Sequence, residues 1–353
     1  MRNETDNEVE SCIQLSALTK THGPTIHQII QCKPPEWIPL LVIGSVALLI
    51  ITVLTIRGVW RFAGVLWTHT YIAHKSRTIL FYYLVNGLIN FFKILNPRAL
   101  EVYDFIGDVL EGLLVFAFYN LLWDYLGGYI KVLPKVIGEK VSVNCSLFSC
   151  CWKCSQDVTL KFVWVYEKLV MQFPIVQLLL VVIDINTFVN SPRFGNGSVS
   201  LNQAKPITTV RMVIKVLQAV SGMLSLYGLD VLQRVWKKQH GEKKIDRKIS
   251  VFRATIVFNR LQAVIFNRVG LSVHHVGALS GFYRAATWNG FLILIENTIL
   301  SFFAYTLYTP DDITNREDYK SSLSELREIQ KSYEIEKETN EVKINDKEDS
   351  PAV

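Results

Sequence analysis

Between Tyr103 and Gly128 the chain reads YDFIGDVLEGLLVFAFYNLLWDYLGG, an apolar stretch long enough to cross a membrane as a helix, with Asp104, Asp108 and Glu111 in its first two turns. Spacings of four and three residues put the three carboxylates on one narrow helical face. An ionisable group at membrane depth costs about 2.5–3.5 kcal/mol on insertion scales, so it turns to a bundle interior, a countercharge or water. Such a helix cannot stand alone in lipid. It requires neighbours, and a partner charge or water for its carboxylates.

The rest of the chain supplies them. Of its 353 residues 50% are hydrophobic, and they are gathered in long runs, which excludes an ordinary soluble domain. Trp37 to Ile56 is an uncharged run matching the ~20 residues that cross a ~30 Å hydrocarbon core. Further spans follow at Thr78 to Phe92, interrupted only by Asn86 and Asn90, and at the acidic stretch, from about Val102 to Trp123. The fourth is Leu169 to Ile183, with an amphipathic lead-in from Leu160 to Lys168; Ile207 to Leu232, Ile249 to Val273 and Ala286 to Leu307 complete the set. The expected fold is all-α, a polytopic seven-transmembrane-helix bundle over residues 37–309. Residues 1–36 form an extracellular segment with no signal-peptide core. Residues 310–353 form a charged, largely disordered cytoplasmic tail, in which Ser322 to Glu325 resembles a capping box opening a short helix.

Lys and Arg fix the orientation. The connections after spans one, three and five carry 17 basic residues and the alternate ones 6, so the first set is cytoplasmic, the N-terminus outside and the C-terminus inside. Sequons at Asn3 and Asn196 fall outside, where glycosylation occurs, and Asn144 falls inside. Cys12 and Cys32 are also outside, as a pair or as separate thiols. The loop NCSLFSCCWKC has the zinc-like spacing Cys151-x-x-Cys154 but no His and no second pair. Palmitoylation of Cys150, Cys151 and Cys154, holding the loop against membrane lipid, fits better than a metal.

Arg253, Arg260 and Arg268 in the sixth span, seven and eight residues apart, form a basic stripe opposed to the acidic one. The two can neutralise each other, or mid-depth Arg260 can meet an anionic solute while Arg253 and Arg268 snorkel to the interfaces. In the fifth span Arg211 reads as an interface residue and Lys215, deeper, as a pathway residue. Glu296, isolated in the seventh span, needs a partner from another helix or a proton. No enzyme signature, cofactor motif or nucleic-acid footprint is present. A seven-span receptor or trafficking scaffold, with structural charges and no transport, is the rival reading, although Asp124-Tyr-Leu-Gly-Gly stands where a rhodopsin-like receptor has an Arg-containing triplet.

These pieces resemble, in order, the organic solute transporter alpha-subunit family. Its features are an Asp-x-x-Glu pair ahead of an acidic-Tyr-Leu-Gly-Gly exit (Asp108, Glu111, Asp124 to Gly128), a cysteine-rich cytoplasmic loop, SLYGLDVL in the fifth span, a basic residue followed nine later by Gln (Arg253, Gln262), and WNGFLILIENTILSFFAYTLYT around Glu296. The chain departs from the family at YYLVNGLIN in the second span, at Arg253 where Lys is usual, and at Leu261 where an aromatic is usual. The resemblance implies a facilitative plasma-membrane transporter of amphipathic organic anions such as sterol conjugates or bile-salt-like solutes. It also implies a small single-span beta subunit and the acylated loop. A homo-oligomer is compatible with it. Lys215, Arg253, Arg260 and Gln262 are then expected along the solute path, with Asp108, Glu111 and Glu296 as charge partners.

Overall fold

In a computed structural model of the chain, residues 26–32, 36–63, 70–125, 129–143, 155–189, 201–240, 243–269 and 281–310 are described. Seven helices among them are long and apolar enough to cross a membrane. They are α1 (Trp37–Arg61), α2 (Thr70–Leu95), α3 (Leu100–Tyr125), α4 (Leu160–Val189), α5 (Leu201–His240), α6 (Lys243–Val269) and α7 (Gly281–Leu307). Short helices at Ile26–Cys32 and Tyr129–Val136 accompany them. The protein is a multi-pass, all-α membrane bundle.

Several helices exceed the apolar runs that announce them. α2 extends at both ends beyond Thr78 to Phe92, and Lys93, the residue after that run, is buried in its last turn. The lead-in at Leu160 and the fourth span are one continuous helix with Pro174 inside it. Pro97 opens a single 3-10 turn, Pro97–Ala99, that joins α2 to α3 by a tight corner; its missing N–H costs nothing there.

α1 shows how the bundle closes. Ile38, Val42, Ile43, Val46, Leu49, Ile50, Val53 and Ile56 are exposed, a lipid-facing surface, while Leu40, Gly44, Ala47, Ile51, Thr55 and Gly58 are buried. The small residues let α1 approach α2 and α7 closely: a Cβ on Gly44 would meet Leu294 at 3.3 Å, and one on Gly58 would meet Leu80 at 3.0 Å. Gly290 does the same between α7 and α2, where a Cβ would lie 3.2 Å from the Asn90 carbonyl oxygen. Around the bundle α3 packs on α2 and α4, α4 on α5, and α6 on α7.

The connection between α3 and α4 contains a two-stranded antiparallel hairpin, β1 (Lys140–Ser142) and β2 (Ser155–Asp157), with Lys140 opposite Asp157. It is tied to α5: Tyr227 donates to the Val143 carbonyl oxygen at 2.9 Å and Arg234 to that of Ser142 at 3.1 Å. No periodicity announces three-residue strands. Cys12, Cys150, Cys151, Cys154, Asn3, Asn144, Asn196, Gly127, Gly128 and the tail with its capping box lie outside the described residues, as do the side chains of Cys32, Arg211 and Arg268.

Candidate functional site

The acidic face of α3 does find cations, one from each of three other helices. The corner at Pro97 brings the end of α2 beside the start of α3, so that Lys93 pairs with Asp104 at 2.8 Å. Asp104 therefore turns toward α2. From α5, Lys215 reaches Asp108 at 2.6 Å, and Gln218 Nε2 donates to the same carboxylate at 3.2 Å. From α6, Arg260 divides its guanidinium: Nη1 lies 3.1 Å from Asp108 Oδ1, and Nη2 contacts Glu111 Oε2. Asp108, Glu111 and Arg260 are buried, with relative exposures of 9%, 4% and 9%.

These groups line a cavity of about 90 Å³ shared by α2, α3, α5, α6 and α7. Asn86, Asn90 and Lys93 form its α2 wall at spacings of four and three, the same offsets as Asp104, Asp108 and Glu111 opposite. The cations and carboxylates that pair across the cavity are equal in number, three of each. Pairing is how such charges persist away from water; removing one partner of a buried pair leaves an uncompensated charge that costs about 3–5 kcal/mol.

Donors remain even so. Arg260 Nε is buried and has no hydrogen-bond partner among the described residues. Lys215 carries three N–H groups, of which the contact with Asp108 takes one. On the α3 wall Glu111 Oε1 is likewise unpartnered.

At one end the cavity gives way to close packing. Asn259 donates to the Tyr82 hydroxyl at 3.3 Å, and the Tyr83 and Thr255 hydroxyls are 3.1 Å apart. Phe118 and Phe252 stack with centroids 4.0 Å apart, and Trp123 meets Trp236 edge to face. Lys248 sits over the Tyr125 ring at 3.9 Å, between α6 and α3.

Arg253 is not with Lys215 and Arg260. It is held on α5, 2.9 Å from Asp230, and donates to Gln233 at 2.5 Å, in a network that continues through Gln233 to Asp246 and from Asp246 to Lys237. Its Nη2 is engaged there, while its Nε, also buried, has no hydrogen-bond partner among the described residues. Glu296 accepts from Gln262 of α6, a partner from another helix. Neither Arg253, Gln262 nor Glu296 lines the cavity.

Lys93, Gln218, Asn289 and the asparagines of α2 belong to the site but carry no single diagnostic motif. The α2 spacing is the signal that could have found three of them. Asp184, buried on α4, is a further membrane carboxylate hidden by its place at the edge of an apolar run.

At the Trp37 end of α1, Glu36 joins α1 to α7. Arg284 Nε donates to it at 3.1 Å and Trp288 Nε1 at 2.8 Å. Burial opposes the Glu36 charge, but the two hydrogen bonds and the positive charge of Arg284 outweigh it and hold the carboxyl below the ordinary glutamate value.

Residues 40–313 match the model of the family described as organic solute transporter Ostalpha. The comparisons with curated proteins and with solved structures give no match.

Proposed function

The chain belongs to the organic solute transporter alpha family, which is one of membrane transporters and not of enzymes, and on that premise we propose that it moves amphipathic organic anions down their gradient. Sterol conjugates and bile-salt-like solutes are the class intended. The observation that carries this reading is the set of unspent donors at the cavity: Arg260 Nε and the remaining N–H groups of Lys215 can meet an anionic oxygen without breaking any ion pair. Asp108 and Glu111 then act as counter-charges that fix the two cations in place.

Size narrows the pose. A volume of about 90 Å³ corresponds to roughly three water molecules, whereas pockets enclosing drug-sized ligands run to about 300–1,000 Å³. A charged head group fits and a sterol skeleton does not. The skeleton lies against the apolar helix surfaces beside the cavity, which is why the solute must be amphipathic. Arg253, in its network with α5, is a second cationic station further along α6, and Gln262 with Glu296 marks the α6–α7 boundary.

The proposal extends to a small single-span beta subunit as partner and to the plasma membrane as location. The N-terminus is placed outside and the C-terminus inside, with Asn3 and Asn196 glycosylated and Cys150, Cys151 and Cys154 palmitoylated. The β1–β2 hairpin, bonded to Tyr227 and Arg234, supports the acylated-loop part by giving that loop a fixed base. The test is uptake of labelled steroid sulfate by cells producing this chain with and without candidate beta subunits. Saturable uptake with one partner is expected; no saturable uptake with any partner, despite delivery to the surface, overturns the proposal.

A further inference from the structure

The α2 wall of the cavity carries no charge until Lys93, yet it is not satisfied. Asn86 and Asn90 are 5% and 1% exposed and line the cavity. Asn90 Nδ2 donates to the Asn86 backbone oxygen at 2.8 Å and to Asn86 Oδ1 at 3.0 Å. The first of these acceptors is a carbonyl and can only accept, so it fixes which end of the Asn90 amide is nitrogen; the second fixes Asn86 in turn. Asn86 Nδ2 is left as a buried donor and Asn90 Oδ1 as a buried acceptor, both without a partner among the described residues. Asn289 Oδ1, on α7 and lining the same cavity, is a second unpartnered acceptor. Gly290 permits this arrangement, because it lets the α7 backbone touch α2 at Asn90.

A buried donor and a buried acceptor left unpaired each forfeit their solvation, so the wall suits a group that fills both roles. We propose that Asn86 and Asn90, with Asn289 beside them, form a specificity subsite for a neutral group that donates one hydrogen bond and accepts another. A hydroxyl or a secondary amide close to the anionic head of the solute has this chemistry. An amide would give its N–H to Asn90 Oδ1 and take a hydrogen bond from Asn86 Nδ2 through its C=O, while the head meets Lys215 and Arg260, which line the same cavity. The inference rests on the anion-transport reading above and adds the feature by which one anion is preferred to another.

The experiment compares three labelled probes in cells producing the full chain with its partner subunit: a sterol carboxylate without ring hydroxyls, the same sterol as its glycine amide, and the same sterol with one ring hydroxyl. The readout is the ratio of apparent KM values, which does not depend on the amount of protein at the surface. At least one of the two derivatives should be preferred about 10-fold by the unaltered chain, the effect of roughly one buried hydrogen bond, and which one it is identifies the group. Asn86→Leu should bring that ratio to near one. Asn86→Asp, close in size and still able to accept from Asn90, should lower it as well, and serves if the leucine variant fails to reach the surface. Equal KM values for all three probes in the unaltered chain would overturn the inference, as would a preference that survives both substitutions, since the wall then holds water only. Failure to transport any of the probes would count against the anion-transport reading itself.

Discussion

Replacing Arg260 by glutamine would leave Asp108 with Lys215 and strand Glu111 in a buried wall beside another carboxylate. The expected loss is about 3–5 kcal/mol of stability, measured as a lower unfolding temperature in detergent. Glu111→Gln in the same chain should return most of it, because the second substitution removes the stranded charge. If Arg260 also meets the solute, flux stays lost in the stabilised double variant; recovered flux would make the arginine purely structural. The residues of this network were half legible. Asp108, Glu111, Lys215 and Arg260 announce themselves because charge inside an apolar run is conspicuous. Lys93 does not, since it stands at the end of its run and reads as a loop residue until the corner at Pro97 folds it back on Asp104. Asn86, Asn90 and Asn289 are uncharged, and only their surroundings reveal what they lack.

At the level of elements, the apolar runs locate every long helix but give their ends poorly. Helices run on past their apolar windows, as α2 does to Thr70 and α5 to His240, and polar flanks do not stop a helix. The β1–β2 hairpin was not legible at all, because its three-residue strands are held by contacts with α5. The Glu36 clamp between α1 and α7 gives this scale a pH-dependent test. Its carboxyl ionises more readily in the folded protein than the ordinary value of 4.5. The stabilisation it contributes is therefore complete above that value and is lost as pH falls below it toward the folded value. The stability difference between the unaltered chain and Glu36→Gln should be positive at neutral pH and shrink once the pH drops under 4.5. A difference independent of pH would mean that Glu36 acts through packing alone.

For the whole molecule, seven helices among the described residues are long and apolar enough to cross a membrane, an odd number, in keeping with the proposed arrangement of termini on opposite sides. The proposed direction is checked by antibody access to terminal epitopes in intact cells. The N-terminal epitope should be reached without permeabilisation and the C-terminal one only after it, with a mass shift on glycosidase treatment that disappears in an Asn3→Gln, Asn196→Gln chain. The reverse accessibility would invert the path from cavity to aromatic floor. The class of the fold follows from composition and run length; the cavity does not, because it is assembled from side chains of five helices around about 90 Å³. The central claim is that this cavity serves a carrier for amphipathic anions. Counterflow in proteoliposomes containing the chain, with and without a candidate single-span subunit, tests it most directly. Vesicles preloaded with unlabelled steroid sulfate should accumulate labelled steroid sulfate transiently above its external concentration. Equilibration without that overshoot, or a conductance independent of the solute, would contradict the account.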